Sequence, residues 1–553
     1  MVANCNHLFS VFFAFFIINN YIFRKFRYPS FQAMLSLVSY FSWSPSLFCQ
    51  IAFILVDLLL IGAGVLIYKF FIYPIIFTAH YTAQGVKTNF FKGLSPLKQW
   101  DESARKHGDA FHQWTDFVYN NPNEPGFVTN IGPLVHLQLT HPKYIKEFYA
   151  NEQENFKFGW GKGSLELLLD STTAFIHGED WKSRRKLFSQ AFNFDALKDK
   201  IEIIESQAIK FCDSIHPSKK DSFHVVDEYK SLMARIVEQV FFGRDMANVQ
   251  VEGGLSFTQY LKDYVQEGTD VIYSPLSMVI GPDMVRKQLL PSHKAVFTKK
   301  KILQDAVKRI LQEKEKEMSN KPEDYVPQNL LEIMIKAKNT DPDARIDDYS
   351  IRQEFIALYL AVSSTAVLLS KMSYYATKYP EWRERLVREI QATNWSLGQP
   401  LTMEIINKLD YLHAFMKEVI RHAGVSIFVA DRVAIKDHKL LDLHIKKGDT
   451  VTCGNKAIGY NPMLFPNPHE FKPERFMQSG GHTDLPFTFL PFSAGRRSCL
   501  GQNFSILKAK VIMIHFIMRY SGQLPENYKF QNHIESISYL PIEPLILKLT
   551  CQD

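Results

Sequence analysis

The run Phe492-Ser-Ala-Gly495-Arg496-Arg497-Ser498-Cys499-Leu500-Gly501 constrains this chain more than any other stretch. Glycines at 495 and 501 permit tight turns and a close approach of backbone to a flat ligand. A helical pattern from about Gln502 to Tyr520 begins just after Cys499, so the positive end of that helix favours a thiolate at the cysteine. Arg496 and Arg497 offer charge-assisted bonds to a nearby carboxylate. The six cysteines (Cys5, Cys49, Cys212, Cys453, Cys499, Cys551) contain no C-x-x-C pair. That scatter fits neither a disulfide framework nor a zinc site and suits a reducing compartment. Cys499 is the cysteine whose surroundings ask for a role.

The segment fits F-x-x-G-x-R-x-C-x-G at every fixed position and closely resembles the haem-binding loop of cytochromes P450. The resemblance extends upstream. Glu418-Val-Ile-Arg421 matches the family's E-x-x-R, with i and i+3 on one helix face. Phe471-Lys-Pro473-Glu474-Arg475-Phe476 matches its P-E-R-F stretch, and Trp181-Lys-Ser-Arg184-Arg185 resembles its W-x-x-x-R element. The resemblance implies a mainly α fold with small β-sheets, triangular in outline, around haem b. It makes Cys499 the axial iron ligand, within a loop that includes Phe492, Gly495 and Gly501. It implies that Trp181, Arg185, Arg497 and, more loosely, Arg432 hold the haem propionates. Glu418, Arg421 and Arg475 then form a buried triad that locks the cysteine loop.

One helix departs from the family pattern. Where the family carries [AG]-G-x-[DE]-T-[TS], this chain has Leu360-Ala361-Val362-Ser363-Ser364-Thr365-Ala366. Counting back from Lys378-Tyr379-Pro380 favours Ser364 as the oxygen-activating alcohol, with Ala361 for the Gly and Ser363 for the acid. The other register gives Thr365 that place, and neither supplies a carboxylate. Oxygenation at a haem-thiolate needs protons at the distal oxygen; Ser364 can relay one, but Ser363 cannot gather them. Either hydroxyl could equally bond back to the preceding turn. His422-Ala423-Gly424 also departs, standing where the family often has Leu and Pro, which puts the following turn in question.

The coarse pattern from about Gly93 is a helical body with a small sheet near each end. Gly126–Leu139 reads as a hairpin, and helical periodicity dominates from Trp181 to Gly424, interrupted at Pro275, Pro282, Pro291, Pro322 and Pro327. Short β-like pieces return over Ser426–Ile435 and Leu440–Val451, with Lys447-Gly448-Asp449 as a turn. Ahead of this lie two apolar stretches. Leu8–Phe23 is short for a membrane span and contains Asn19 and Asn20, whereas Leu47–Tyr68 is long enough despite Gln50 and Asp57. The expected division is an N-terminal extension over 1–46, a transmembrane anchor over 47–68, a linker over 69–92 and a catalytic domain over 93–553. Two spans would put Arg24, Lys25 and Arg27 on the wrong side for the positive-inside tendency. The first stretch is therefore read as interfacial, or translation begins at Met34. A single pass leaves the catalytic domain in the cytosol, on the endoplasmic reticulum membrane that the anchored branch of the family occupies. The net charge of +7 is spread along the chain without a basic run interleaved with aromatics. That argues for contact with membrane lipid and against nucleic acid.

The resemblance implies monooxygenation of a lipophilic small molecule with O2, electrons coming from NADPH through a flavoprotein reductase. Lys182, Arg184 and Lys508 are candidate contacts for that acidic partner. Gly163–Ile176 and Tyr264–Val279 are apolar candidates for the substrate pocket. The missing acid keeps open an isomerase or dehydratase acting on a hydroperoxide. A non-catalytic haem-binding protein is the remaining alternative.

Overall fold

The computed structural model describes residues 56–57, 60–92, 95–131, 134–158, 160–215, 217–246, 249–251, 254–425, 431–477, 486–535 and 538–552. The apolar stretch Leu8–Phe23, Met34, residues 47–55 and 58–59 of the expected anchor, and residues 426–430 of the β-like piece Ser426–Ile435 lie outside them. The chain divides into two units, Met1–Ala83 and Gln84–Asp553.

In the first unit a helix covers Leu60–Thr82, long and apolar enough to cross a membrane, with few of its residues buried apart from Phe77 and Tyr81. It runs further than the sequence suggested: the expected linker, 69–92, is helical as far as Thr82. Pro74 would normally clash with the carbonyl one turn earlier. A π-helical turn over Tyr68–Ile72, closed by the Tyr73 N–H on the Tyr68 carbonyl, precedes it, and the proline falls in the first turn of the next segment, Tyr73–Thr82.

The second unit is mainly helical. Its longest helix, Asp348–Lys378, has 31 residues, about 46 Å at 1.5 Å per residue. Asp347 caps it by accepting from the Ser350 N–H at 2.8 Å. It stops at Tyr379, ahead of Pro380, which opens the next helix at the position where a missing N–H costs nothing. Its apolar stretch is mostly buried, so its hydrophobicity belongs to a core helix. Pro275, Pro282 and Pro291 likewise open helices.

The sheets are not arranged one per end. A six-stranded sheet runs in the order Lys87–Thr88, Gly126–Ile131, Leu134–Leu139, Thr450–Cys453, Arg432–Ala434, Phe156–Phe158. The hairpin pairs Gly126 with Leu139, and Leu137 pairs parallel with Val451. Each end supplies strands too few to bury a face alone, so they combine. A three-stranded sheet likewise joins Phe223–His224 to the C-terminal strands. Gly448, at φ +92°, makes the turn into Thr450–Cys453.

The turn left in question after Ala423 is built from a distant lysine. Gly424 ends the Asp410–Ala423 helix at φ +68°. The buried Lys371 ammonium donates to the carbonyls of Ala423 (3.0 Å) and Gly424 (2.8 Å) and to Asn532 Oδ1 (2.7 Å). Orphan carbonyls at the helix end are thereby satisfied.

Candidate active site

Glu418 and Arg421 lie one turn apart on the Asp410–Ala423 helix and make a two-pronged pair, Nε to Oε2 at 2.7 Å and Nη2 to Oε1 at 2.8 Å. Arg475 Nε donates to Glu418 Oε1 at 3.0 Å, and the Lys472 N–H to the same oxygen at 2.8 Å. The remaining guanidinium nitrogens reach main-chain carbonyls: Arg421 to Gly459, Pro468 and Glu470, Arg475 to Pro466 and Glu470. All three side chains are buried. Two arginines on one carboxylate leave a surplus charge, which these carbonyl dipoles absorb, as a buried ion pair requires. The network ties the helix to the 459–475 segment that leads toward the cysteine.

The cysteine loop is closed by the Cys499 N–H donating to the Phe492 carbonyl at 2.8 Å. A single 3-10 turn, Gly495–Arg497, lies between them. Gly495 sits at φ +71°, where a side chain is strained, although a β-carbon there would meet the Tyr149 ring only at an ordinary contact of 3.4 Å. Gly501 is different: its backbone lies at φ −83°, and a β-carbon would meet only Cys499 Sγ, at 4.0 Å. Its lack of a side chain keeps the neighbourhood of the sulfur clear, and no turn demands it. Gly501 caps the Gln502–Arg519 helix, so Cys499 stands at that helix's positive end with its side chain exposed.

Around this loop the structure gathers the predicted arginines. The Arg497 guanidinium stacks on the Trp181 ring at 3.9 Å and donates to the Ile176 carbonyl at 2.9 Å. Arg432, buried in its strand, donates from Nε to Glu152 Oε1 at 2.5 Å. Burial first, then the charges of Arg432 and Arg185, lower Arg497 to about 10, while Glu152 opposes them. Burial also lowers Arg185, which the nearby Cys499 opposes. Three guanidinium groups thus share a neighbourhood with Glu152, which pairs with Arg432 and whose charge also reaches Arg497. Guanidinium groups gathered beside an exposed cysteine sulfur suit a flat macrocycle bearing two carboxylates.

The hydroxyls of the long helix part company. Thr365 is 2% exposed, and its Oγ1 donates to Ser505 Oγ at 3.2 Å, joining the long helix to the helix that follows Cys499. Ser364 is half-buried and bonds back to the Ala361 carbonyl at 3.1 Å, with Ala361 itself exposed. The two share the open side of the helix, and Thr365 is committed to packing. Gly163–Ile176 and Tyr264–Val279 meet each other, Tyr264 donating to the Leu168 carbonyl at 2.8 Å. Sequence reasoning missed Glu152, Tyr149, whose hydroxyl lies 3.0 Å from Ser493 Oγ, and Ser505. Their partners are distant in the chain, and no local spacing announces them.

Two of the three suggested partner contacts are corrected. Arg184 is buried, donating to the carbonyls of Ser171 (2.5 Å) and Arg345 (3.0 Å), where its fixed guanidinium fork serves as a structural tie. Lys508 is only 3% exposed. Lys182 stays on the surface, paired with Glu179 at 2.6 Å.

The cytochrome P450 family model matches residues 106–549. The chain belongs to the cytochrome P450 family. Among curated P450 relatives, it is 26% identical to cytochrome P450 3A2 of Rattus norvegicus over 485 residues, covering 85% of this chain and 90% of the relative. Cytochrome P450 4e2 of Drosophila melanogaster is 25% identical over 432 residues, 74% of this chain and 77% of the relative. A solved structure of a retinoic acid-bound cyanobacterial P450, CYP120A1, superposes with a TM-score of 0.67 at 20% identity, covering 84% of this chain and 100% of that one. That likeness concerns the P450 fold. The protein is a haem-containing oxidoreductase of the monooxygenase class.

Proposed function

We propose that this P450 inserts one oxygen atom of O2 into a lipophilic small molecule, with Cys499 as the thiolate ligand of its haem b. The observation that carries the reading is the exposed cysteine at a helix N-terminus, with Arg185, Arg432 and Arg497 gathered in its neighbourhood. Arg185, Arg432 and Arg497 would receive the propionates, Trp181 stacking on Arg497 to hold its plane. Glu418, Arg421 and Arg475 would fix the backbone that presents the loop. The bound haem supplies redox chemistry at iron, its reactivity set by electron donation from the sulfur. Ser364 would hold and pass a proton at its Oγ, and Thr365, occupied by Ser505, would keep the two helices at a fixed spacing. Electrons would come from NADPH through a flavoprotein reductase, with the exposed Lys182 among its contacts. The apolar Leu60–Thr82 helix supports a single-pass anchor in the endoplasmic reticulum membrane with the catalytic unit in the cytosol.

Cys499→Ser tests the assignment. The variant is expected to lose the carbonyl difference spectrum of a thiolate-ligated ferrous haem, whereas unchanged pigment would overturn it. Titrating the wild type with a lipid panel, following the ferric spin state, then measuring NADPH- and reductase-dependent product, tests the reaction. Product formed from a hydroperoxide without NADPH would replace it with an isomerase or dehydratase.

A further inference from the structure

The cysteine loop contains two residues with positive φ, Gly495 at +71° and Ser493 at +64°. Glycine takes that conformation freely, whereas in a serine the β-carbon crowds the backbone. A strained residue of this kind persists only where its surroundings over-determine it. Its place in the loop makes the torsion matter. The Ser493 N–Cα bond follows directly on the Phe492 carbonyl, inside the ring that the Cys499 N–H closes on that carbonyl at 2.8 Å. A return of Ser493 to negative φ would turn the Phe492 carbonyl out of that bond and let the loop open.

The Ser493 N–H is held within the loop itself, on the Leu490 carbonyl at 3.1 Å. Its hydroxyl is the tie to the rest of the fold. It lies 3.0 Å from the Tyr149 hydroxyl, its hydrogen-bond partner among the described residues. Tyr149 is 7% exposed and sits in the last turn of the helix Pro142–Ala150. Its ring stacks on Phe487 at 6.2 Å and lies in ordinary contact with the point where Gly495 would carry a β-carbon. One packed side chain therefore meets both positive-φ residues of the loop, and packing fixes where its hydroxyl is presented. The buried Cys453 thiol also neighbours that hydroxyl, so a test that removes it needs a control at Ser493.

We infer that Tyr149 is a positioning residue for the sulfur ligand of the haem: its hydroxyl holds Ser493 in the left-handed conformation and thereby keeps the cysteine loop in the shape that presents Cys499. The inference rests on Cys499 being the ligand.

The test warms carbonyl-bound ferrous holoenzymes and follows the rate at which the thiolate form of the difference spectrum is lost, with far-ultraviolet circular dichroism recorded alongside. Tyr149→Phe and Ser493→Ala should each speed that loss about fivefold, the size of one hydrogen bond. Ser493→Gly should stay within about twofold of wild type, because glycine keeps positive φ without the tie. Adding Tyr149→Phe to Ser493→Gly should change nothing further, and helix content should hold while the spectrum converts. The inference is overturned if Tyr149→Phe leaves the rate unmoved or speeds it equally in the Ser493→Gly background. It is overturned as well if helix content falls in step with the spectrum, since the hydroxyl would then act on the whole fold. Ser493→Ala carries the test against wild type and Ser493→Gly if Tyr149→Phe does not accumulate. A wild type without the thiolate spectrum removes Cys499 as ligand, whereas a normal wild-type spectrum with unmoved rates removes Tyr149 alone.

Discussion

The side of the molecule that presents Cys499 and the side that presents Ser364 are built by opposite means. On the cysteine side, Glu418 takes two arginines and a main-chain N–H, and the arginines' other nitrogens are spent on carbonyls. On the Ser364 side, one hydroxyl bonds its own helix and its neighbour bonds across to Ser505. The first arrangement holds a loop in one conformation, because every donor has a fixed acceptor. The second leaves a half-buried hydroxyl next to the exposed Ala361 on the long helix. A ligand site needs the former and a proton path the latter, so the contrast separates binding from reaction within one fold.

The sharpest way to break the contrast is to remove its centre. Glu418→Ala leaves two buried guanidinium groups without their carboxylate, and breaking such a pair costs about 3–5 kcal/mol. The expected outcome is a protein with little or no bound haem and a thermal midpoint lowered by several degrees, read by pigment content and calorimetry. If Glu418→Ala keeps full pigment and an unchanged midpoint, the network does not hold the loop.

The next effect distinguishes the two hydroxyls. Ser364→Ala should lower product formation about 10²-fold, the low end for a lost proton-transfer group, with little change in stability. Thr365→Val should do the reverse, costing about 1 kcal/mol for the lost bond to Ser505 and leaving turnover within a few-fold. Single-turnover product yield and denaturant midpoints on both variants decide it. The opposite pattern would move the reacting alcohol to Thr365.

How legible each side was follows from the same physics. Glu418 and Arg421 are spaced to share a helix face, and Gly495 sits where the backbone turns to positive φ; both leave marks in local sequence. Gly501 leaves the same mark for another reason, and only its φ of −83° shows that no turn requires it. Glu152 meets Arg432 across 280 positions, and Lys371 reaches Ala423 across 52, so neither partner can be found by spacing. The mixed sheet was misjudged for a like reason. Leu137 and Val451 pair because each strand set is too small alone, a property of the whole fold. Lys508 and Arg184 show the limit of reading charge as surface: composition gives the charge, and only packing gives its depth.

The last predicted effect, seen only as a drift with pH, concerns a buried acid of the long helix, Glu354, ten positions before Ser364. Thr173 donates to Glu354 Oε1 through its hydroxyl at 2.6 Å and through its N–H, which ties the 170–176 segment to the helix. Burial raises this carboxyl from its ordinary 4.5 to about 7, the Thr173 bonds and the charge of Arg184 holding it from going higher. The folded protein therefore keeps a proton that the unfolded chain releases near 4.5, and its stability falls as pH rises from 4.5 through about 7. The loss is bounded at ~3 kcal/mol by the size of the shift. Glu354→Gln removes that titration while an amide oxygen can still accept from Thr173. Its thermal midpoint relative to wild type should accordingly climb between about pH 5 and pH 8, by an amount worth ~1–3 kcal/mol. A constant difference across that range would mean that Glu354 is ionised throughout. The Ser364 side would then hold a buried fixed charge after all, and its contrast with the Glu418 network would narrow.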